Sequence, residues 1–234
     1  MVLTGTLVNG LAIIIASLIG LLVRNISEQM KTTTMQAIAL AVVVLGFGMA
    51  LKSEQFLIVI GSLVIGGIIG EKIDLEARLA RLGAWVEIKV GAKEDGSIAK
   101  AFVTATLIYV VGAMAILGAL DSGLRGDHSV LYTKSLLDGF SAIIFTSTLG
   151  LGVIFSAIPV VLYQGVIALL ATQINQFVPE VLMNAFILEM TATGGIMIIA
   201  IGLNILGILH VRVANLLPSI VVVAAFVTIL HYFV

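Results

Sequence analysis

Glu189 is the only acid in the apolar stretch 182–209, inside the string Glu189-Met190-Thr191-Ala192-Thr193-Gly194-Gly195. An ionisable side chain held among hydrocarbon costs ~2.5 kcal/mol or considerably more. It is therefore expected to be shielded, and to serve an ion, a proton or a small solute. On a regular helix Glu189, Thr193 and Asn204 fall within roughly a third of the circumference, which makes a polar track with Thr191 beside it. Gly194 and Gly195 could open the backbone there and add carbonyl ligands. Two other readings compete. In one, a protonated Glu189 bonds a neighbouring helix and the glycines only permit close packing. In the other, Glu189 lies near a membrane interface, because Pro179-Glu180 comes only a few turns earlier.

A second polar series runs from Asp138 through Ser141, Thr146, Ser147 and Thr148 to Gln164, with Gly150, Gly152 and Pro159 between. Hydroxyls in apolar helices often bond only the carbonyl one turn back. Several before a proline break, followed by an amide, point instead to a polar lining. Hydroxyl, amide and carbonyl oxygens suit a hard monovalent cation or a small polar solute. Asn9 shares a helix face with Gly5, Ala12, Ala16 and Gly20, a stripe that reads as a packing seam across which Asn9 can hydrogen-bond. Asp121, Asp127, His128, Lys134 and Asp138 surround one connection. That group reads as a solvated loop with an ion pair, against the alternative of a hard-metal site. His210 and His231 lack ligand-like spacing. No nucleotide-binding, metalloprotease or catalytic-serine motif is present, and the chain has no cysteine. Neither an enzyme nor a cofactor is expected.

The elements that position these groups follow from composition. The 234 residues are 60% hydrophobic and 11% charged, with a mean hydropathy of +1.22, whereas soluble domains are about 25% charged. Continuous apolar runs match helical spans rather than the alternating strands of a barrel. The fold class is an all-α, polytopic transmembrane bundle in a lipid bilayer, and the net charge of −1 gives no reason to expect nucleic acid. Spans are predicted at 3–23, 35–51, 56–70, 101–120, 184–209 and 216–233. The block 140–172 is expected to break at Pro159 into two short helices, spanning or re-entrant. The total is eight spans, or six plus a hairpin. The N-terminus lacks the features of a cleaved signal, so its first apolar stretch reads as a retained span. Lys and Arg then favour both termini outside the cytoplasm.

The chain divides into N-terminal spans over 1–70, a connection over 71–100 and C-terminal spans over 101–234, together one integral membrane domain. The connection is read as an amphipathic helix on Ile73, Ala77, Leu79, Leu82 and Val86, with Trp85 at the interface and Asp74 able to pair with Arg78. A faint internal echo sets Leu7-Val8-Asn9-Gly10 against Leu136-Leu137-Asp138-Gly139, and 35–64 against 193–222. It would fit the repeat construction of many secondary transporters. Gly66 and Gly70 form a small-residue pair for a helix contact within or between chains, and a homodimer is expected on the commonness of two-fold symmetry.

Several strings carry a resemblance. They are Gly112-Ala113-Met114-Ala115-Ile116-Leu117-Gly118 with Asp121, Lys134-Ser135-Leu136-Leu137-Asp138-Gly139, and Gly150-Leu151-Gly152-Val153-Ile154-Phe155-Ser156-Ala157. Tyr163-Gln164-Gly165, the Glu189 string, Gly202-Leu203-Asn204, Leu216-Leu217-Pro218 and the opening Gly5-Thr6-Leu7-Val8-Asn9 complete the series. Together they resemble the bacterial YdfK/YqgA-type membrane family, which carries the domain of unknown function 554. The resemblance implies a bacterial inner-membrane protein and transfers no established site. The expected function is a secondary transporter or ion-coupled permease for a small solute or ion. Glu189 would hold the coupling ion, with Thr191, Thr193 and Asn204 shaping the site. Ser147, Gln164, Asn9, Asp138 and the backbone at Gly150 and Gly152 would contribute from a facing element. A channel and a non-transporting scaffold or sensor are the alternatives.

Overall fold

A computed structural model describes residues 1–22, 28–78, 81, 97–110 and 113–233. Every regular element among them is helical. In order these are α1 (Thr4–Leu22), α2 (Glu28–Ala50), α3 (Phe56–Ile73), α4 (Ser97–Val110), α5 (Ala113–Leu124), α6 (Ser129–Leu149), α7 (Gly152–Phe155), α8 (Ala157–Leu169), α9 (Ala171–Phe177), α10 (Glu180–Ile205), a 3-10 turn (Val213–Leu216) and α11 (Ser219–Phe233). Most of the 71–100 connection, including Leu79, Leu82, Trp85 and Val86, lies outside the described residues. Its described beginning leaves α3 at Asp74, whose φ of 52° turns the chain, and Arg78 Nε then donates to the Ile73 carbonyl at 3.0 Å.

Among the described residues five segments are long and apolar enough to cross a membrane: Thr4–Leu22, Phe56–Ile73, Gly152–Leu169, Glu180–Ile205 and Val213–Tyr232. A sixth is reached if Ile98–Val110 and Met114–Leu124 form one bent span. The apolar part of α2 is the shorter Ala39–Ala50, and α6 carries Lys134, Asp138 and several hydroxyls along its 21 residues.

The helices are turned inside out relative to a soluble protein. On α1, Thr6, Asn9 and Ser17 are fully buried while Leu7, Leu11, Ile15 and Leu18 are exposed. On α8, Gln164 is buried while Ile158, Leu162, Val166 and Leu169 form an exposed stripe. Burying polar groups and exposing branched apolar ones is unfavourable in water, and it is the arrangement that hydrocarbon solvent demands.

The chain folds as two compact units of interleaved segments. The first comprises Met1–Glu28 and Leu79–Phe177. Its centre is α1 against α6, which run parallel: Gly5 meets Leu131, Ala12 and Ala16 meet Gly139, and Gly20 meets Ile143 and Thr146. The small-residue stripe on α1 is thus a packing seam, and α8 packs on α1 as well. The expected break at Pro159 is corrected. The interruption falls at Gly150, which closes α6 with φ 90° and ψ −166°, a conformation reserved for glycine. Pro159 sits in the first turn of α8, where its missing N–H has no helical partner to lose.

The second unit comprises Gln29–Arg78 and Val178–Val234. It is two helical hairpins, α2–α3 and α10–α11, packed so that α2 is antiparallel to α10 and α3 antiparallel to α11. Gly46 meets Gly195 and Ile199, whereas Gly202 meets Ala39 and Val43. Gly66 meets Ser219 and Gly70 meets Asn215, so the Gly66/Gly70 pair is used within the chain. α10 is continuous from Glu180 to Ile205. Gly194 and Gly195 therefore do not open it; Gly195 lets two backbones meet. The echo between 35–64 and 193–222 sets one hairpin on the other, connection on connection.

Candidate functional site

In the first unit α6 places Lys134 and Asp138 one turn apart, facing inward. Lys134 Nζ lies 2.9 Å from each carboxylate oxygen of Asp138. The two residues are only 7% and 5% exposed. Of the group expected to form a solvated loop with an ion pair, Lys134 and Asp138 depart: they pair with each other, buried against α1. Asn9, fully buried on α1, donates through Nδ2 to Asp138 Oδ2 at 3.0 Å and more weakly to Gln164 Oε1 at 3.4 Å. Four polar side chains from α1, α6 and α8 thereby meet in one centre.

The charge fixes how the amides lie. Asn9 must turn its NH2 toward the carboxylate, because its oxygen there would face another acceptor. Gln164 must then turn its oxygen toward Asn9. This leaves Asn9 Oδ1 and Gln164 Nε2, one acceptor and one donor, buried and without a partner in the structure. Thr6 Oγ1, one turn before Asn9, and the hydroxyls of Tyr109 and Thr146 are also buried and unpartnered. Buried polar atoms are normally satisfied, and such exceptions mark places where a ligand or water belongs. Three other hydroxyls of α6 behave differently. Ser147 Oγ bonds the Ile144 carbonyl at 2.8 Å, and Ser141 and Thr148 likewise bond carbonyls of their own helix. Ser147 is therefore self-satisfied, not a free ligand. Gly150 terminates α6, and Gly152 gives close contact with Ile98 and Ala101 on α4.

In the second unit Glu189 is 3% exposed and its carboxylate is fully engaged. Oε1 accepts the backbone N–H groups of Glu54 and Gln55, both at 3.0 Å. Oε2 accepts the Ser53 hydroxyl at 2.5 Å. Gln55 precedes α3 and provides no side-chain cap, so Glu189 supplies that cap from α10. A carboxylate at a helix N-terminus is favourable both as an acceptor and toward the helix dipole. Sequence reasoning offered a helix-to-helix bond, and the partner is a connection instead. A cavity of about 290 Å³ opens beside the cap, lined by Glu54, Gln55, Glu189, His231 and apolar side chains including Ile58 and Leu188.

Asn204 does not join a polar track with Glu189. Its side chain brackets the backbone of Val211, donating at 2.7 Å and accepting at 2.9 Å, which ties down the α10–α11 connection. Thr191 and Thr193 are buried on α10 with unpartnered hydroxyls. A matching cross-link went unnoticed in the sequence. Glu76 accepts the Ala214 N–H at 3.1 Å, while Asn215 donates to Glu71 at 2.6 Å and accepts the Glu76 N–H at 2.8 Å. Arg212 pairs with Glu71 on the exposed side. Each hairpin connection is thus held by carboxylates of the other hairpin. Only a long-range contact reveals this, because the partners are 134 to 144 positions apart in the sequence.

Among the described residues no group of three or more His, Cys, Asp or Glu is placed to hold a metal ion. Asp121 pairs with Arg125, and His128 Nδ1 shares a hydrogen bond with the Ser122 hydroxyl at 2.7 Å. Asp127 accepts from the Ser129 backbone at 2.9 Å and from its hydroxyl at 2.7 Å. Those bonds hold its carboxyl below the usual range, so this turn leading into α6 persists at neutral pH and is lost only as the pH falls through the depressed value.

The family described as "Protein of unknown function (DUF554)" matches residues 4–228. The "Uncharacterized membrane protein YdfK" of Bacillus subtilis (strain 168) is 33% identical over 234 residues, covering 98% of this chain and 97% of that protein. The "Uncharacterized protein YqgA" of Escherichia coli (strain K12) is 28% identical over 221 residues, 92% of each. No solved structure matches the chain at a significant level.

Proposed function

We propose a transport function for this chain, which belongs to the DUF554 family over nearly its whole length. It is a secondary carrier for a small polar solute or ion in the bacterial plasma membrane, with both termini outside. The observation that carries the reading is the buried centre of Lys134, Asp138, Asn9 and Gln164, with its unused acceptor and donor. Ionisable groups at membrane depth commonly mark substrate or ion paths. A site lined by one free carbonyl oxygen and one free amide N–H suits a solute that both donates and accepts.

Glu189 enters this reading as the anchor of the α2–α3 connection rather than as the coupling carboxylate. Its three donors already neutralise much of its need for a counter-ion.

The test is uptake into proteoliposomes across a panel of small polar solutes and ions, comparing wild type with Gln164→Met. Saturable, gradient-coupled uptake is expected in wild type, falling at least about tenfold in the variant, which is what loss of roughly one good hydrogen bond to solute gives. The variant's thermal stability should stay close to wild type, since the lost bond is long. High unitary conductance would favour a channel. Undiminished uptake by a folded Gln164→Met protein would remove the site from the path.

A further inference from the structure

We propose that Lys134 is the resident occupant of a monovalent-cation site centred on Asp138, its ammonium filling the place that an alkali ion would otherwise take. Three features lead there. First, Nζ sits symmetrically at 2.9 Å from both carboxylate oxygens, as a bound ion would, rather than at one edge. Second, Asn9 meets the carboxylate through Nδ2, and two buried oxygens of α1 are left without a partner, Asn9 Oδ1 on the other arm of that amide and Thr6 Oγ1 one turn before it. Carboxylate, amide and hydroxyl oxygens are the ligands of hard cations. Third, the pair does not fit the purpose of an ordinary helix ion pair. The cation precedes the acid by four residues, the weaker order along a helix, and burial makes such a pair a doubtful source of stability.

One ammonium and one carboxylate leave the centre neutral, so wild type has no need of an exogenous cation there. Removing the ammonium uncovers a buried carboxylate on a centre that also holds the unpartnered oxygens of Asn9 and Thr6, and a small cation should then enter. For the transport reading, on which this consequence alone rests, the carrier should run without sodium or potassium.

The test measures thermal unfolding of purified wild type, Lys134→Ala, Lys134→Gln and Lys134→Ala/Asp138→Asn in detergent. Choline serves as the bulky reference cation, and sodium, potassium or methylammonium replaces it at constant ionic strength, so that screening is unchanged. Wild type and the double variant should be indifferent to the exchange. Both single variants should melt lower in choline and rise by about 4 °C or more in at least one small cation, the size of shift that ligand binding of modest affinity produces in a chain of this length. An equal response from wild type overturns the proposal. So does the absence of response in a folded single variant. If Lys134→Ala does not fold, Lys134→Gln decides by the same criterion, and failure of both in every cation also overturns it. Uptake is read separately. A wild type that transports nothing removes the carrier reading and leaves the cation result standing.

Discussion

Asp138 and Glu189 are both buried acids, and different chemistry satisfies each. Asp138 faces an ammonium and an amide, whereas Glu189 faces two backbone N–H groups and a hydroxyl. The second arrangement can be tested by stability alone. Glu189→Ala leaves three donors without their acceptor and should cost about 3 kcal/mol, because an abandoned buried donor carries its full desolvation penalty. Glu189→Gln keeps one acceptor oxygen for the two N–H groups, and Ser53 can accept from the new amide, so the loss should be about 1 kcal/mol. Melting in detergent distinguishes them, and an alanine variant as stable as wild type would remove the capping role. Sequence singled out Glu189, Asp138, Asn9 and Gln164 because each is polar in an apolar setting. It could not pair them correctly. Asn9 and Asp138 are 129 residues apart, and only their shared seam of small residues brings them together. Apolarity alone places Lys134 in a connection, whereas α6 begins earlier, at Ser129. Its charge ended the apolar run in the sequence, while the fold buried it beside its counter-charge.

The helices themselves were legible wherever apolarity was continuous, as in α1, α3, α10 and α11. Their interruptions were not. Proline attracted the predicted break because it cannot continue a helix from within, but at the third position of a helix it breaks nothing. Gly150 drew less notice, since many of the chain's 24 glycines only let helices approach, as Gly195 does against Gly46. A pair of substitutions separates these roles. Gly150→Ala forces a side chain into φ 90° and should destabilise by about 1–3 kcal/mol. Pro159→Ala restores an N–H that the first turn does not use and should change stability by less than about 1 kcal/mol. Equal losses in thermal unfolding would show that the kink depends on the proline after all.

At the scale of the molecule, the inverted distribution of polar and apolar side chains identifies lipid as the solvent, but it does not say which end faces the cytoplasm. Basic residues predict that direction. Lys72, Arg78, Arg81, Lys89, Lys93 and Lys100 crowd one connection, and such excess stays on the cytoplasmic side. Two positions in each compact unit suffice to test it. In the second unit, Lys52 lies before α3 and Lys72 in its last turn, and both are exposed. In the first, Lys100 is exposed near the start of α4 and Asp127 is exposed just before α6. Because the chain has no cysteine, each single substitution gives an unambiguous label. In intact cells an impermeant maleimide should reach Lys52→Cys and Asp127→Cys, while Lys72→Cys and Lys100→Cys react only after permeabilisation. The reverse pattern would invert the chain. Labelling Lys52→Cys and Asp127→Cys from opposite sides would be more consequential, because it would change the parity of spans between them. The stretch 101–120 would then enter and leave by the same face. In that case its bent pair would be a re-entrant element instead of a sixth crossing.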